Sequence, residues 1–281
     1  MKKRICVIVR VYNRIQDLEY NLEIIRKTWI QNDYYIIVSS NGENDGYVLT
    51  EKICSLSDQI VRYDGNSGHL KGNSMLLLQG IPHIPEDCEY TLLLEADTWL
   101  YKDNLISKYI SKLKKRKAVW ASAKWYDRFY SLATDFAIVN TEFLKNNQKI
   151  LDFGIYPETY VATYLHNVGA SWIYIKENMP VQIAGYIHNF PYAPYGRFYV
   201  FPRSHMVTHH IEHYQRGMSR KKKDFNVLSN NFFYEEKILL PHLYIFIIKM
   251  VVFFAFLLPR RSWFRKIEFR DENKKYSSFR R

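Results

Sequence analysis

Short apolar runs alternate with amphipathic segments along the first 125 residues of the chain. Runs rich in β-branched residues predict buried strands at 5–9, 34–40, 59–63 and 90–97. Between the first two runs, apolar residues recur at helical spacing, at Leu18, Leu22, Ile25 and Trp29. Asp17 precedes them and is predicted to cap this helix. We therefore expect an α/β fold in which a mostly parallel sheet carries helices on both faces.

The fourth predicted strand ends in two acids, Glu95 and Asp97. Strand residues two positions apart share a face, and buried carboxylates are costly unless a cationic partner meets them. Three partners fit: a basic side chain, water at a loop mouth, or a divalent metal ion. Because ligand crevices in open α/β sheets lie at the carboxyl ends of strands, we predict that both acids face a crevice.

The pattern loosens from about residue 124 onwards. Residues 136–144 predict a strand that leads into a helix, and 157–169 predict a helix with Glu158 in its first turn. The stretch 185–213 holds five of the nine histidines and many aromatic residues. We interpret this stretch as the lid or acceptor side of the predicted crevice.

The length of the chain is enough for one large domain, or for one domain with a modest annex. The chain has 281 residues, of which 47% are hydrophobic and 16% aromatic, so we expect a well-filled core. The three cysteines show no metal-ligand spacing, and so small and odd a number argues against a disulfide framework, which favours a reducing compartment. The first apolar run has only five residues before Arg10, so we interpret it as a strand rather than a signal peptide. These features predict a cytoplasmic protein.

The net charge of +12 is concentrated in three basic clusters, at 112–117, at 220–223 and from Arg260 to the C-terminus. Such clusters suit anionic lipid, nucleic acid or phosphorylated substrates. We interpret 112–117 as a solvated helix face. No nucleic-acid module accompanies the clusters, so nucleic acid is not predicted as a partner.

Residues 243–258 form an apolar run of sixteen residues with a single charge, Lys249. As a helix the run would be about 24 Å long, shorter than the roughly 30 Å hydrocarbon core of a bilayer. The basic and aromatic segment that follows it suits a membrane interface. We therefore favour an interfacial anchor on an anionic membrane surface. A short spanning helix and a buried or dimer-forming helix, the latter implying a homo-oligomer, are alternatives.

Four segments, in their order along the chain, resemble the signatures of family-2-type GT-A glycosyltransferases. They are ICVIVRVYNR, IIVSSNG, GNSGHLKGNSMLLLQGI and LLLEADTWL, and the resemblance covers about residues 4–170. These nucleotide-sugar-dependent enzymes include many that build bacterial surface polysaccharides. The resemblance implies a GT-A, Rossmann-like domain over 1–235, with a nucleotide-sugar half at 1–125 and an acceptor half at 126–235. A C-terminal helical, membrane-associating segment over 236–281 would follow.

In that family, the acidic pair after the fourth strand holds Mn²⁺ or Mg²⁺ on the donor diphosphate. The resemblance implies that Asp97 is the metal ligand and that Glu95 contacts ribose or metal-bound water. His188 is the candidate for a third ligand, with His209 and His210 as rivals. The chemistry agrees independently, because a divalent cation neutralises the charge that develops on a leaving diphosphate.

The resemblance also implies donor-binding roles for Tyr12, Asn13, Arg14, Asn41, Lys71 and Asn73. Tyr12 and Asn13 match the loop after the first strand, which packs on the nucleobase. Asn41 stands where the family has an acid that recognises uracil, so uridine specificity is not implied. Lys71 lies near the position of the arginine that faces phosphate.

A carboxylate at the start of a later helix is the general base in inverting members of the family. Glu158 occupies the matching position, and Asp135 is the competing candidate, which alternatively binds a donor or acceptor sugar. The loop after the first strand contains no glycine, which disfavours a nucleotidyltransferase of similar fold.

The predicted function is therefore a metal-dependent, inverting glycosyltransferase. It would be peripheral on the cytosolic face of the membrane and transfer a sugar from a nucleotide-sugar to a lipid-linked or oligosaccharide acceptor. A nucleotidyltransferase and an inactive, membrane-tethered sugar-nucleotide-binding module are the alternatives.

Overall fold

The structure is a computed structural model. It describes residues 4–124, 131–154, 156–176, 179–182, 197–201, 203–208 and 217–229, together with 243, 246, 247 and 250. The predicted metal ligand His188, its rivals His209 and His210, and nearly all of 236–281 lie outside the described residues.

The described residues form eleven strands and seven α-helices. The strands are β1 (Arg4–Val11), β2 (Asp33–Ser40), β3 (Gln59–Arg62), β4 (Tyr90–Glu95), β5 (Trp99–Leu100), β6 (Trp120–Ala123), β7 (Phe136–Asn140), β8 (Trp172–Ile175), β9 (Met179–Gln182), β10 (Arg197–Phe201) and β11 (Met206–Thr208). The α-helices are α1 (Ile15–Thr28), α2 (Glu51–Leu56), α3 (His69–Gly80), α4 (Asn104–Arg116), α5 (Thr141–Asn146), α6 (Pro157–Asn167) and α7 (Gly217–Leu228). Short 3₁₀ turns occur at Glu43–Asp45, Ile81–His83 and Gln148–Leu151.

The larger sheet has seven strands in the order β3-β2-β1-β4-β7-β6-β8. Only β7 is antiparallel to its neighbours, and the other paired strands in this sheet are parallel. The predicted α/β class with a mostly parallel sheet is therefore confirmed. From β1 the sheet continues to β2 and β3 on one side, and from β4 it continues to β7 on the other side. A ligand crevice is expected where the strand order reverses in this way, at the carboxyl ends of β1 and β4.

Side chains along the central strands point alternately to the two faces of the sheet, and this divides the core into two layers. Ile5 and Val7 of β1 pack on the side of α1 and α4, whereas Cys6 and Ile8 pack on the side of α3 and α6. Successive strand residues point to opposite faces, so a strand covered on both sides must be apolar throughout. The prediction of helices on both faces is confirmed.

Helix α1 differs from its prediction at its N-terminus. It begins at Ile15, and its N-cap residue is Arg14, which makes no side-chain capping hydrogen bond. Asp17 lies inside the first turn and binds Lys221 of α7. The prediction that Asp17 caps the helix was therefore wrong, because a tertiary ion pair holds this carboxylate.

The two basic clusters within the described residues differ in their surroundings. Residues 114–116 are exposed at the end of α4, as expected for a solvated helix face. Residues 220–223 lie on α7, and Lys221 among them is only 1% exposed. A run of charges along the sequence therefore does not make every member of the run a surface residue.

A smaller antiparallel sheet in the order β5-β11-β10-β9 adjoins the acidic pair. One residue, Thr98, separates Asp97 from strand β5, which pairs with β11 through Leu100 and Met206. Two strands of this sheet come from the stretch 185–213, much of which lies outside the described residues. Within the described part of the chain, no helix combines the length and the apolar character needed to cross a bilayer.

Candidate active site

A cavity of about 420 Å³ opens at the carboxyl ends of β1, β2 and β4, where the topology predicts a crevice. Seven of the residues singled out in the sequence line it: Tyr12, Asn13, Arg14, Asn41, Asn73, Glu95 and Asp97. We call this cavity the cleft. The chain thus brings together the loops after three neighbouring strands, although their residues are up to 85 positions apart.

The acidic pair lies on a tight turn at the end of β4. The Thr98 amide donates to the Glu95 carbonyl at 3.1 Å, which reverses the chain direction. Asn21 of α1, which is fully buried, donates its Nδ2 to the carbonyls of Glu95 and Ala96 at 3.2 Å each. These bonds hold Asp97, which is 8% exposed, at the wall of the cleft.

Arg10 is the cationic partner of Glu95. The two residues are register partners on β1 and β4, and Arg10 Nη2 donates to Glu95 Oε1. Arg10 Nη1 donates to the Thr134 carbonyl at 2.8 Å. Of the three partners considered for the acids, a basic side chain therefore meets Glu95. Arg10 is a charged residue within a predicted buried strand, which could have indicated a buried ion pair. From the sequence it was interpreted only as the end of an apolar run.

Tyr12 lines the cleft, and its neighbours hold it in place. Its hydroxyl donates to Asp45 Oδ2 at 3.0 Å, and its ring meets Tyr47 edge-on with 5.2 Å between centroids. Asn66 Nδ2 donates to the same Asp45 oxygen at 3.1 Å. The hydrogen bond to Asp45 raises the pKa of Tyr12 above the ordinary value of a phenol, which is already neutral at physiological pH.

Asn41 lines the cleft and has a buried acceptor atom. The residue is 5% exposed, and its Nδ2 donates to the Gly65 carbonyl at 3.3 Å. Its Oδ1 is buried and has no hydrogen-bond partner among the described residues. A buried acceptor of this kind is costly unless it is bonded, so a ligand N–H in the cleft would stabilise it.

Helix α3 turns one face to the cleft, and Lys71 is not on that face. His69, Gly72, Asn73 and Leu76 line the cleft. Lys71 instead binds Asp152 through its ammonium group. Residues two apart on a helix point about 200° apart, so a helix that offers residue 69 to the cleft turns residue 71 away. His69 was not predicted to line the cleft, and Lys71, which was predicted to bind the donor, does not line it.

Asp135 and Glu158 are both buried, at 3% and 6% exposure, and neither lines the cleft. The Asp135 carbonyl accepts the Glu95 amide at 2.9 Å, so Asp135 lies beside the end of β4. Glu158 is in the first turn of α6, and its carbonyl accepts the Leu132 amide at 3.0 Å. Asp135 therefore lies in the segment 131–135, and Glu158 is hydrogen-bonded to that segment through Leu132.

The residues of the cleft fit a divalent cation that is shared with a diphosphate. Among the residues that the structure describes, no three His, Cys, Asp or Glu side chains converge on a point that would hold a metal ion. Mg²⁺ and Mn²⁺ sites commonly use only one or two carboxylates, and substrate phosphates complete the coordination. Asp97 supplies such a carboxylate at the cleft wall.

No protein-family model and no curated protein matches this chain, whereas many solved structures do. The mannosyltransferase PcManGT from Pyrobaculum calidifontis, in complex with GDP-Man and Mn²⁺, is 14% identical with a TM-score of 0.47, over 63% of this chain and 56% of that one. Staphylococcus aureus TarS 1–349, in complex with UDP-GlcNAc, is 15% identical with a TM-score of 0.46, over 62% and 56%. A 4-diphosphocytidyl-2C-methyl-D-erythritol synthase from Anaerococcus prevotii is 12% identical with a TM-score of 0.43, over 62% and 88%.

The matched part of this chain spans a little over half the length of the mannosyltransferase and of the TarS fragment. Identities of 12–15% and TM-scores of 0.43–0.47 describe only a partial likeness in the arrangement of the chain. The chemistry of this protein must therefore be sought in its own cleft.

Proposed function

We propose that this chain is a glycosyltransferase that uses a nucleotide-sugar donor and a divalent cation. The observation that carries the proposal is the composition of the cleft. The carboxylates of Asp97 and Glu95, the aromatic ring of Tyr12 and the amide of Asn41 all line it. An aromatic and amide wall suits a nucleobase, and an acidic edge suits a cation on the diphosphate that follows it.

The residues of the chain divide the work of donor binding. The Tyr12 ring supports the base, and the buried Asn41 Oδ1 accepts a hydrogen bond from a base N–H. Glu95, which Arg10 holds in place, accepts from a ribose hydroxyl or a bound water. Asp97 would hold Mn²⁺ or Mg²⁺, which when bound stabilises the negative charge that develops on the leaving diphosphate.

The second half of the reaction requires a base that takes the proton of the acceptor hydroxyl. We propose Glu158 for this role, with direct attack on the anomeric carbon and inversion of configuration. Its place in the first turn of α6 supports the assignment, because the segment 131–135 connects that turn to the acid pair. Asp135, which lies in the same segment, is the competing base.

For the acceptor we propose a lipid-linked glycan at the cytosolic face of a membrane. The support comes from the sequence alone, in which the apolar run 243–258 is followed by Arg260, Arg261, Arg265 and Lys266. An apolar segment combined with a basic one favours adsorption to an anionic bilayer.

Isothermal titration of UDP, GDP and CDP with the full-length chain, with and without Mn²⁺, tests the proposal. We expect one nucleotide to bind much more tightly when Mn²⁺ is present, and the corresponding nucleotide-sugar to be hydrolysed slowly without an acceptor. Binding without any turnover would favour the inactive module. Release of pyrophosphate from a nucleoside triphosphate would favour the nucleotidyltransferase, and no binding of any nucleotide would overturn the proposal.

A further inference from the structure

The loops after β1, β2 and β3 meet beside the cleft at one side chain, that of Asp45. This residue lies in the short 3₁₀ turn Glu43–Asp45 after β2, is exposed, and does not itself line the cleft. Its Oδ2 accepts the Tyr12 hydroxyl at 3.0 Å and Asn66 Nδ2 at 3.1 Å. Tyr12 and Asn66 both line the cleft. A single carboxylate oxygen therefore joins the loop after β1 to the loop after β3.

The loop after β3 holds the Asp45 carboxylate in place. Asn66, which donates to Asp45, also accepts the Gly68 amide with its Oδ1 at 3.0 Å, so its side chain is tied to the residue that precedes α3. Asn44, the neighbour of Asp45 in the turn, donates its Nδ2 to the Asp64 carbonyl at 3.2 Å. The turn is thus bonded twice to this loop, which restricts where the Asp45 carboxylate can lie.

Tyr12 depends on this carboxylate for its orientation. The residue is half-buried, and besides the hydrogen bond to Asp45 its ring makes an edge-on contact with Tyr47. Fixing a side chain that is free to change rotamer costs entropy when a ligand binds. A ring that is already fixed before the ligand arrives avoids that cost. Without Asp45, the hydroxyl end of the Tyr12 ring would lose the group that fixes it.

We propose that Asp45 is a positioning residue of the nucleobase subsite, which fixes the Tyr12 ring in the orientation that supports a base. The proposal rests on the base-supporting role given to Tyr12 in the proposed function. Asp45 acts through Tyr12 rather than on the ligand. Its loss should therefore weaken nucleotide binding as much as loss of the Tyr12 hydroxyl does, and losing both should be little worse than losing either.

Calorimetric titration of UDP, GDP and CDP with Mn²⁺ into the full-length protein tests the inference, and the variants are compared with the nucleotide that the wild type binds most tightly. We expect Asp45→Ala and Tyr12→Phe each to weaken binding about five- to tenfold, because each loses the same hydrogen bond to a charged group. In the Tyr12→Phe background, Asp45→Ala should weaken binding by no more than about a further twofold, because the partner is already absent.

Asp45→Asn is the conservative variant. Both donors bond to one oxygen of Asp45, and the amide oxygen of asparagine has two lone pairs that can accept them. Nucleotide affinity should therefore stay within about twofold of the wild type.

Tyr12 supplies a second measurement, made on the protein without nucleotide. The hydrogen bond to Asp45 raises the pKa of Tyr12, so Asp45→Ala should lower that pKa towards the ordinary value of about 10. Nuclear magnetic resonance of protein labelled with ¹³C at the tyrosine Cζ follows the titration. The Tyr12 signal is identified by its absence from the Tyr12→Phe spectrum. An unchanged pKa in folded Asp45→Ala would show that Asp45 does not hold the hydroxyl, and would overturn the inference.

Glu43→Ala is the matched control. Glu43 lies in the same 3₁₀ turn and accepts Arg62 Nε at 2.7 Å, but neither of these two residues lines the cleft. Its loss should therefore change nucleotide affinity by less than about twofold. Thermal melts followed by circular dichroism verify that each variant is folded, and the exposed position of Asp45 predicts little change in melting temperature.

Nucleotide binding by folded Asp45→Ala that matches the wild type would contradict the inference. Full additivity of Asp45→Ala and Tyr12→Phe would do the same, since Asp45 would then act independently of Tyr12. Failure of the proposed transferase function is distinguishable, because it would show as absent nucleotide-sugar turnover by a wild type that binds nucleotide, and the binding series still decides the role of Asp45. A wild type that binds no nucleotide would overturn both.

Discussion

Lys221 and Asp17 form an ion pair across 204 residues of sequence, with side chains that are only 1% and 7% exposed. The pair joins α7 to the first turn of α1, next to the loop that carries Tyr12 and Asn13. The Lys221 ammonium also lies 5.0 Å from the centre of the Trp99 ring, two residues after Asp97. Helix α7 therefore packs against both chain segments that flank the cleft.

Removing only one partner of this ion pair should reduce stability much more than removing both charges. Lys221→Met leaves a buried, uncompensated carboxylate and should lower the free energy of unfolding by about 3–5 kcal/mol. Adding Asp17→Asn should recover most of that loss, because the second substitution removes the unpaired charge. Urea denaturation measures both values, and Lys115→Met, on the exposed end of α4, is the control. A loss below about 1 kcal/mol for Lys221→Met would show that the pair adds nothing to folding.

Asp97→Asn should abolish the Mn²⁺-dependent part of nucleotide binding and lower turnover by about 100-fold or more, because the amide is a poor ligand for a divalent cation. The melting temperature should stay close to that of the wild type, since the residue lies at the cleft wall. Calorimetric titration and donor hydrolysis are the measurements. Asp87→Asn removes a carboxylate of the same size from the surface pair with Arg4 and should be silent. A folded Asp97→Asn enzyme with wild-type turnover would contradict the metal assignment.

Glu158→Gln should reduce kcat by about 10²–10⁴-fold and leave donor affinity nearly unchanged, because a general base acts on the acceptor and not on the nucleotide. Asp135→Asn is the comparison, since Asp135 lies in the segment 131–135 to which Glu158 is hydrogen-bonded. Steady-state kinetics with a saturating donor separates the two. If Asp135→Asn shows this loss and Glu158→Gln does not, the base is Asp135.

Gly42→Ala should disturb the loop after β2, because a Cβ at this position would lie 2.1 Å from the Tyr12 carbonyl oxygen. Backbone cannot yield as a side chain does, so we expect a loss of about 1–3 kcal/mol in stability and weaker nucleotide binding. Gly154→Ala is the control, since its Cβ would meet nothing within 4 Å. Equal effects of the two substitutions would argue against a close approach at Gly42.

The C-terminal segment should bind anionic vesicles through two separable forces. Substituting Arg260, Arg261, Arg265 and Lys266 by Gln should release the protein from such vesicles at low salt, as each cation near the surface contributes about 1 kcal/mol. Raising the salt should weaken wild-type binding in the same direction, because the electrostatic part is screened.

Flotation with vesicles measures this binding. Glutamine at Lys114, Lys115 and Arg116 removes a comparable charge from the exposed end of α4 and is the control. Should the substituted tail still float at low salt, or the wild type never float, the run 243–258 is a buried or oligomer contact instead.

The main elements of the first 125 residues were predictable from the sequence because their signals are local. Buried parallel strands are continuously apolar, and α1 shows apolar residues at three- and four-residue spacing, so β1 to β4 and α1 lie close to their predicted positions. The crevice followed from the same pattern, since Glu95 and Asp97 end a buried strand. The placement of Tyr12 and Asn41 at the cleft agrees with the resemblance.

Tertiary structure alone decided which charge meets which. Arg10 and Glu95 are 85 residues apart, and only the pairing of β1 with β4 brings them together. Strands of two to five residues, such as β5 and β11, are too short to show a period, so the smaller sheet was not predicted. Nothing in the sequence indicated that any residue of the basic cluster 220–223 is buried, whereas Lys221 is buried in the structure and pairs with Asp17. Periodicity is a property of neighbouring residues, whereas the partner of a buried charge depends on where distant segments pack, and no local pattern records that.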